Sequence, residues 1–375
     1  MKLLVIGSDR NLFKKNSDIW DRYLDYGKLF EEIHIIVFSH KKLGNQNTKI
    51  GDNVFIYPTN HICKLLYLWS VYRVAGWVFV NSKLKIINCR DNFVVSCQDP
   101  FESGLAGWLV KKIYKIPLQI QIHTDFLSSY FWQESLINKF RVFLAKFILP
   151  RADGIRVVSE RIRRSLVTCH LSRVTKIEVL PIFVDSSVIK SVPITIDLHK
   201  KYSQFDFIIL MASRLTKEKN IPMAIEAMTE LTKKYPKLGL VIVGSGPELQ
   251  SLKIINSKLK IENSIIFEPS VDHNTLFSYY KTADLFLLTS NYEGYGRSVI
   301  EAMVAGLRVV MTDVGLAGES IINRGNGIII PVGDEKSLIM AVSSIISNKS
   351  ESLNYSAEMT KEQYLKLYKE SFIFK

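Results

Sequence analysis

Short apolar runs alternate with longer amphipathic stretches along the whole chain. Leu3–Gly7, Ile33–Phe38, Val54–Tyr57, Val94–Cys97, Leu118–His123, Gly154–Val158 and Ile177–Leu180 read as strands in the first half. Phe207–Ala212, Gly239–Val243, Ile265–Phe267, Leu285–Leu288, Val309–Thr312 and Gly327–Ile330 follow in the second. Many are rich in Val and Ile at both odd and even positions, the pattern of strands covered on both faces. Helical stretches lie between them. In Pro222–Tyr235 the proline suits a first turn, and Ile225, Met228, Thr229 and Thr232 recur at helical spacing. This alternation predicts parallel sheets in two doubly wound halves. The join falls near Asp185–Tyr202, where polar residues and Pro193 interrupt the pattern.

Two apolar stretches bear on membranes. Leu65–Val80 carries Arg73 at its middle and is shorter than the about 20 apolar residues a spanning helix needs. It reads first as a buried core helix. Trp69, Tyr72, Trp77 and Phe79 would also suit a helix lying at a membrane surface. In Lys139–Arg151, Phe140, Phe143, Leu144, Phe147 and Ile148 form one face beside Lys139 and Lys146. That face is expected to point at the core.

The 375 residues, 47% hydrophobic and 23% charged, suit two globular domains and exclude disordered, collagenous and coiled-coil classes. Cys63, Cys89, Cys97 and Cys169 form no CxxC pair and read as reduced thiols in a reducing compartment. The N-terminal apolar run is too short for a secretory signal and reads as a buried strand. The net charge of +13 is unevenly spread. Residues 1–185 hold 27 Lys and Arg against 16 Asp and Glu, while residues 186–375 hold 22 against 20. Lys111, Lys112 and Lys115 form one basic cluster, and Arg161, Arg163 and Arg164 another. The first half therefore faces an acidic partner: anionic lipid, a phosphorylated acceptor or nucleic acid. No nucleic-acid reader motif interleaves the clusters, so nucleic acid is not expected.

The chemistry lies in the second half. Leu287–Met303 runs from a buried strand through the turn Glu293-Gly294-Tyr295-Gly296-Arg297-Ser298 into a helix that Gly306 ends. Glycines before a helix let an oxygen-rich ligand approach the backbone, and the N-terminal N–H groups favour an anion. Carboxylates do not bind phosphate, so Glu293 and Glu301 suit hydroxyls, a sugar on one side and a ribose on the other. Arg214 and Lys219, in the loop after another strand, can aim two cations at a diphosphate.

Residues 205–345 resemble the donor domain of the family 4 (group 1) retaining glycosyltransferases. The resemblance rests on Glu293 and Glu301 as a Glu-x7-Glu motif and on Arg214 and Lys219 as an Arg-x4-Lys motif. Glu319 in TDVGLAGESI and the turn VGSGPE add to it. It implies a GT-B architecture, two doubly wound Rossmann-like α/β domains facing a central cleft. Residues 1–190 would bind acceptor and 203–355 donor, and a helix in 356–375 would cross back to the first domain.

It further implies roles. Arg214 and Lys219 would stabilise the departing diphosphate. Glu293 would contact the donor sugar, and Gly294, Tyr295, Gly296, Arg297 and Ser298 would line sugar and phosphate. Glu301 would hold the ribose, and Val271 would meet the base. His123, at a strand end, would lie near the donor sugar, and Gly7 would open the loop between donor and acceptor.

The activity expected is transfer of a hexose, with retention, from a UDP- or GDP-linked sugar to a saccharide or lipid-linked acceptor, in polysaccharide or glycolipid synthesis. The nucleotide sugar is a substrate, so no cofactor is expected. No Asp-x-Asp pair occurs, so no metal is expected either. The enzyme is expected in the cytoplasm, peripheral on the inner face of the membrane. A GT-B epimerase, a phosphorylase and a non-catalytic sugar-nucleotide-binding module are the alternatives.

Overall fold

The computed structural model describes residues 1–15, 17–63, 66–81, 92–171, 176–321, 327–348, 355 and 359–374. Leu65, Cys89 and residues 356–358, the start of the expected final helix, lie outside these. The chain divides into two compact units, Met1–Pro181 with Lys361–Lys375, and Ile182–Thr360.

The first unit holds β1 (Lys2–Gly7), α1 (Asp18–Gly27), β2 (Ile33–Val37), β3 (Thr48–Ile50), β4 (Val54–Pro58), α2 (Tyr67–Asn81), β5 (Phe93–Cys97) and α3 (Glu102–Tyr114). It continues through β6 (Leu118–Ile122), α4 (Ser129–Glu134), α5 (Leu136–Ile148), β7 (Gly154–Val157), α6 (Glu160–Thr168) and β8 (Ile177–Val179). The sheet order is β3-β4-β2-β1-β5-β6-β7-β8. Every pair is parallel except β3 with β4. The apolar pattern gives no sign of β3. It is three residues long, two of them polar, and pairs antiparallel with the edge of β4 through the turn at Gly51.

The second unit holds α7 (Ser186–Ser191), α8 (Leu198–Lys201), β9 (Phe207–Ala212), α9 (Ile221–Lys234), β10 (Leu238–Val243), α10 (Leu249–Leu259), β11 (Ile265–Glu268) and α11 (His273–Thr282). Then come β12 (Leu285–Leu288), α12 (Arg297–Val304), β13 (Arg308–Thr312), β14 (Gly327–Ile330) and α13 (Glu335–Ser347). The order β11-β10-β9-β12-β13-β14 is all parallel. It is the dinucleotide-binding order, reversing direction between β9 and β12.

The join sits earlier than the sequence pattern placed it, at Pro181–Ile182. The polar stretch after it belongs to the second unit: Thr195 N donates to Ser278 Oγ at 3.1 Å, and Leu198 N to Thr282 Oγ1 at 3.1 Å. Polarity there reflects hydrogen bonding to α11, not a free linker.

The final helix, α14 (Lys361–Glu370), packs in the first unit. Tyr368 stacks on Tyr26 with ring centroids 4.0 Å apart, and Phe372 meets Phe30 edge-on at 5.5 Å. Gln119 Nε2 donates to Ser371 O at 2.6 Å.

Two apolar faces differ from expectation. In α2, Val71, Ala75, Val78 and Phe79 are buried, but Trp69, Tyr72, Trp77 and Val80 are exposed. In α5, Leu144 and Ile148 are buried with Val142 and Ala145, while Phe140 and Phe143 point outward. The rings at 140 and 143 lie to one side of the stripe that covers the sheet. Among the described residues no helix is long and apolar enough to cross a membrane. Cys97 is buried, and Cys63 and Cys169 are exposed free thiols.

Candidate active site

In the second unit the loops after β9 and β12 leave adjacent strands on either side of the reversal of strand order. Helices on opposite faces of a sheet diverge there and leave a crevice at the strands' C-terminal ends. The two loops are tied together. Asn291 N donates to Glu218 O at 2.8 Å, and Thr289 Oγ1 to Lys219 O at 2.9 Å. Lys219 Nζ donates to Glu293 Oε1, which also accepts from Ser290 Oγ at 3.0 Å. Lys219 and Glu293 are largely shielded from solvent, so this ion pair is held firmly.

The turn Glu293–Gly296 is shaped by its neighbours. Gly315, in the loop after β13, has φ +54°, and a Cβ there would sit 2.5 Å from Tyr295 O. Leu316 N donates to that same carbonyl at 3.1 Å. The loop after β10 supports the other side: a Cβ on Gly244 would lie 1.9 Å from Ser213 O. The glycines of VGSGPE therefore let this loop press against the backbone that carries Arg214.

Helix α12 starts at Gly296, whose φ of +93° is left-handed and whose lack of a side chain leaves the first turn without a side-chain cap. It ends in a Schellman motif: Gly306 N donates to Met303 O at 3.0 Å and Leu307 N to Ala302 O at 3.0 Å. Val299, Ile300, Met303 and Val304 are buried, which fixes the aim of the N-terminus.

The remaining expected residues are placed as follows. Arg214 is exposed and turned onto Glu218 at 2.6 Å, so it does not meet Lys219. Glu301 is only 4% exposed. Arg297 Nε lies 2.7 Å from its Oε1, and Tyr280 Oη donates to its Oε2 at 3.4 Å. Burial and then the charge of Glu301 raise the Tyr280 pKa, so this phenol stays a donor. Ser298 is half-buried in the first turn of α12, and Gly294 and Tyr295 are buried in the turn. Val271 follows β11, past Ser270, whose Oγ donates to Ser245 Oγ at 2.9 Å. Glu319 is half-buried in the loop after β13.

His123 and Gly7 belong to the first unit. Gly7 ends β1, where a Cβ would run into the Gln98 side chain, 2.1 Å from its Oε1. His123 follows β6, and its Nε2 lies 3.2 Å from Gln121 Oε1. The same oxygen accepts from Arg156 at 3.2 Å, and Gln121 Nε2 donates to Ser96 Oγ at 2.9 Å. With Gln121 oriented so, His123 carries its proton on Nε2, and Nδ1 is left as an acceptor. Surrounding protein, then the charges of Arg156 and Arg22, lower the His123 pKa. The ring is neutral at pH 7, although solvent still reaches it.

Sequence reasoning did not single out Gln121 and Arg156. The signal was there: glutamines at 119 and 121 share one face of a wholly buried strand, and Arg156 interrupts an apolar one.

Glycosyltransferase sequence families account for most of the chain. The model for glycosyl transferases group 1 matches residues 197–363, and that for glycosyltransferase family 4 matches residues 33–188. An alpha-monoglucosyldiacylglycerol synthase from Streptococcus pneumoniae is 26% identical over 303 residues, covering 75% of this chain and 68% of that protein. Among solved structures, sucrose-phosphate synthase of Thermosynechococcus elongatus superposes with a TM-score of 0.74 at 18% identity, covering 99% of this chain and 94% of that one. Anabaena HepE, solved with UDP and glucose, gives 0.72 at 19% identity, covering 99% and 95%.

Proposed function

The chain belongs to the group 1 and family 4 glycosyltransferases and has their GT-B fold, and from that premise we propose a reaction and a site. It moves a hexose from a UDP- or GDP-linked sugar to a saccharide or lipid-linked acceptor, with retention. The product is a glycolipid or a surface polysaccharide, made on the inner face of a membrane. The observation that carries this reading is the tie between Lys219 and Glu293 across the crevice beside the uncapped start of α12.

That tie sets a cation, a carboxylate and a row of N–H donors around one point. The diphosphate rests on the N-terminus of α12, with Lys219 beside it. Arg214 joins them. Its pair with Glu218 is exposed and worth at most about 1 kcal/mol, so a diphosphate recruits it at little cost. Glu293 accepts hydrogen bonds from sugar hydroxyls, and Gly294–Ser298 line sugar and phosphate. Glu301 binds the ribose once Arg297 moves aside, and Val271 meets the base. In the first unit, His123 offers Nδ1 of its imidazole as an acceptor for a sugar hydroxyl, and Gly7 keeps the end of β1 clear of a side chain.

In the reaction the bond from the anomeric carbon to phosphate oxygen breaks. The acceptor oxygen bonds that carbon on the same face, and its proton passes to the departing phosphate. The growing charge is met by Arg214, Lys219 and the α12 N–H groups. Such a site needs no metal ion and no cofactor.

Incubation with UDP- and GDP-hexoses and a lipid or oligosaccharide acceptor tests this, with the anomeric configuration of the product read by NMR. A product of the donor's own configuration supports the reading. An inverted product contradicts retention, and turnover of the nucleotide sugar without acceptor points to an epimerase.

A further inference from the structure

The helices α2, α3 and α5 of the first unit are joined side by side. Tyr72 stacks over Tyr114 at 6.4 Å, Trp108 meets Phe147 edge-on at 5.3 Å, and Arg141 pairs with Glu102 at 2.9 Å. Their outer surface is unusual. Trp69 is 55% exposed, Trp77 53%, Phe140 63% and Phe143 68%. Burying four such rings in the core would stabilise the fold, so their exposure needs a second environment. On α2 the exposed positions Trp69, Tyr72, Arg73, Trp77 and Val80 form one stripe at helical spacing.

The cations on this surface lie against the rings. The Arg73 guanidinium sits 4.7 Å from the Trp69 ring, the Lys112 ammonium 5.5 Å from Trp108, and the Arg151 guanidinium 3.8 Å from Phe147. Neither α2 nor α5 contains an Asp or Glu. On α1, by contrast, Asp18, Asp21 and Asp25 lie within ten residues. Flat aromatic rings mixed with cations, on three helices whose one carboxylate, Glu102, is paired with Arg141, suit the boundary of an anionic bilayer, where rings sit among headgroups and cations meet phosphates.

At the C-terminal end of α3 this surface holds a cavity of about 450 Å³, lined by Trp108, Lys111, Lys112, Lys115, Pro117 and Asp153 among others. Asp153 is taken by Lys111 at 2.7 Å. Lys112 and Lys115 therefore leave the cavity net positive, and Trp108 gives it an apolar wall. Lys115 also holds a left-handed φ of +55°, where glycine would be unstrained.

We propose that the α2–α3–α5 face lies on an anionic phospholipid bilayer, and that the Lys112–Lys115 cavity takes the phosphate of one lipid headgroup. This deepens the lipid-linked acceptor reading and rests on it for its purpose, but its test needs neither donor nor turnover.

The test is flotation of the full chain with vesicles of phosphatidylcholine alone and of phosphatidylcholine with 30% phosphatidylglycerol, at low salt. Binding at least tenfold tighter to the anionic vesicles is expected. Lys112→Glu with Lys115→Glu should weaken it at least tenfold, and Trp69→Ser with Trp77→Ser should weaken binding to both vesicle types. Unchanged melting temperatures would show that these surface variants fold. Equal binding to both vesicles, or variants that bind like the native chain, overturns the proposal. So does a concentration-dependent dimer that the tryptophan variants abolish, since the face would then be a self-interface. A third arm adds glycerol phosphate without vesicles: a large rise in melting temperature there assigns the cavity to a soluble phosphate and overturns the headgroup assignment.

Discussion

Lys219 and Glu293 are 74 residues apart in sequence and form an ion pair between the loops that follow β9 and β12. Both are shielded from solvent, so neither charge is readily met by water if its partner is removed. Lys219→Met should therefore cost about 1–3 kcal/mol of stability, through the carboxylate left behind. It should also lower kcat by about 10²–10³-fold, through lost compensation of the leaving phosphate. Adding Glu293→Gln should restore the stability and not the activity. Denaturant melts beside steady-state rates separate the two effects. A double variant no more stable than the single one would mean that the pair is not coupled.

Gly315 and Gly318 offer a paired test of how the turn is held. Both have positive φ, +54° and +78°. Only at Gly315 would a Cβ strike backbone, at Tyr295 O, whereas Gly318 has open space. Gly318→Ala should cost about 1 kcal/mol, the conformational penalty alone. Gly315→Ala should cost more and should also weaken donor binding, because the turn Glu293–Gly296 must shift. Equal losses in melting temperature and equal donor affinities would refute the packing argument.

Arg156 is a buried cation that donates to Gln121, Leu180 O and Tyr364, with Tyr368 under its guanidinium at 5.2 Å, and among the described residues no carboxylate pairs with it. A buried charge without a carboxylate is expensive. Arg156→Met should therefore keep the fold, with a stability within about 2 kcal/mol of native. It should lower kcat, because Gln121 is then free to turn its amide and release the His123 tautomer. Donor affinity should hold. Collapse of the fold, or an unchanged kcat, would count against this role.

The pH dependence of stability follows from His34. Burial lowers its pKa against an opposing pull from Glu32. A histidine with a depressed folded pKa binds fewer protons folded than unfolded. Its contribution is fully present above the unfolded value, about 6.5, and is lost as pH falls toward the folded value. The melting temperature should therefore fall between pH 7 and pH 5. His34→Gln should melt lower at pH 7 but show a shallower slope across that window. The rate should not change between pH 7 and 8 through His123, which is already neutral. A steeper slope in His34→Gln would reverse the sign of the argument.

Much of this was legible in the sequence, for a physical reason. Strands buried on both faces read as near-continuous apolar runs, so β1, β9, β10 and β12 announce themselves. The site announces itself too, because a glycine turn between a buried strand and a helix has few other uses. What the sequence hid was direction. Phe140 and Phe143 are as apolar as Leu144 and Ile148, yet they face outward, and only the packing of α5 on α3 decides that. Arg214 carries the right charge at the right spacing, but the side chain has an acid four residues on and turns to it. Glu301 sits where the pattern put it and is covered by Arg297. Gln121 and Arg156 lay in apolar strands as anomalies, and their meaning appears only when β6 and β7 pair.

The most direct measurement is thermal stabilisation by a panel of UDP- and GDP-hexoses, on the native chain and on Glu301→Ala and Lys219→Met. A donor at 100 times its Kd should add about 2.7 kcal/mol to the native chain and much less to either variant. If no sugar nucleotide stabilises the native chain, or if the variants respond as fully as it does, the crevice between β9 and β12 is not the donor site.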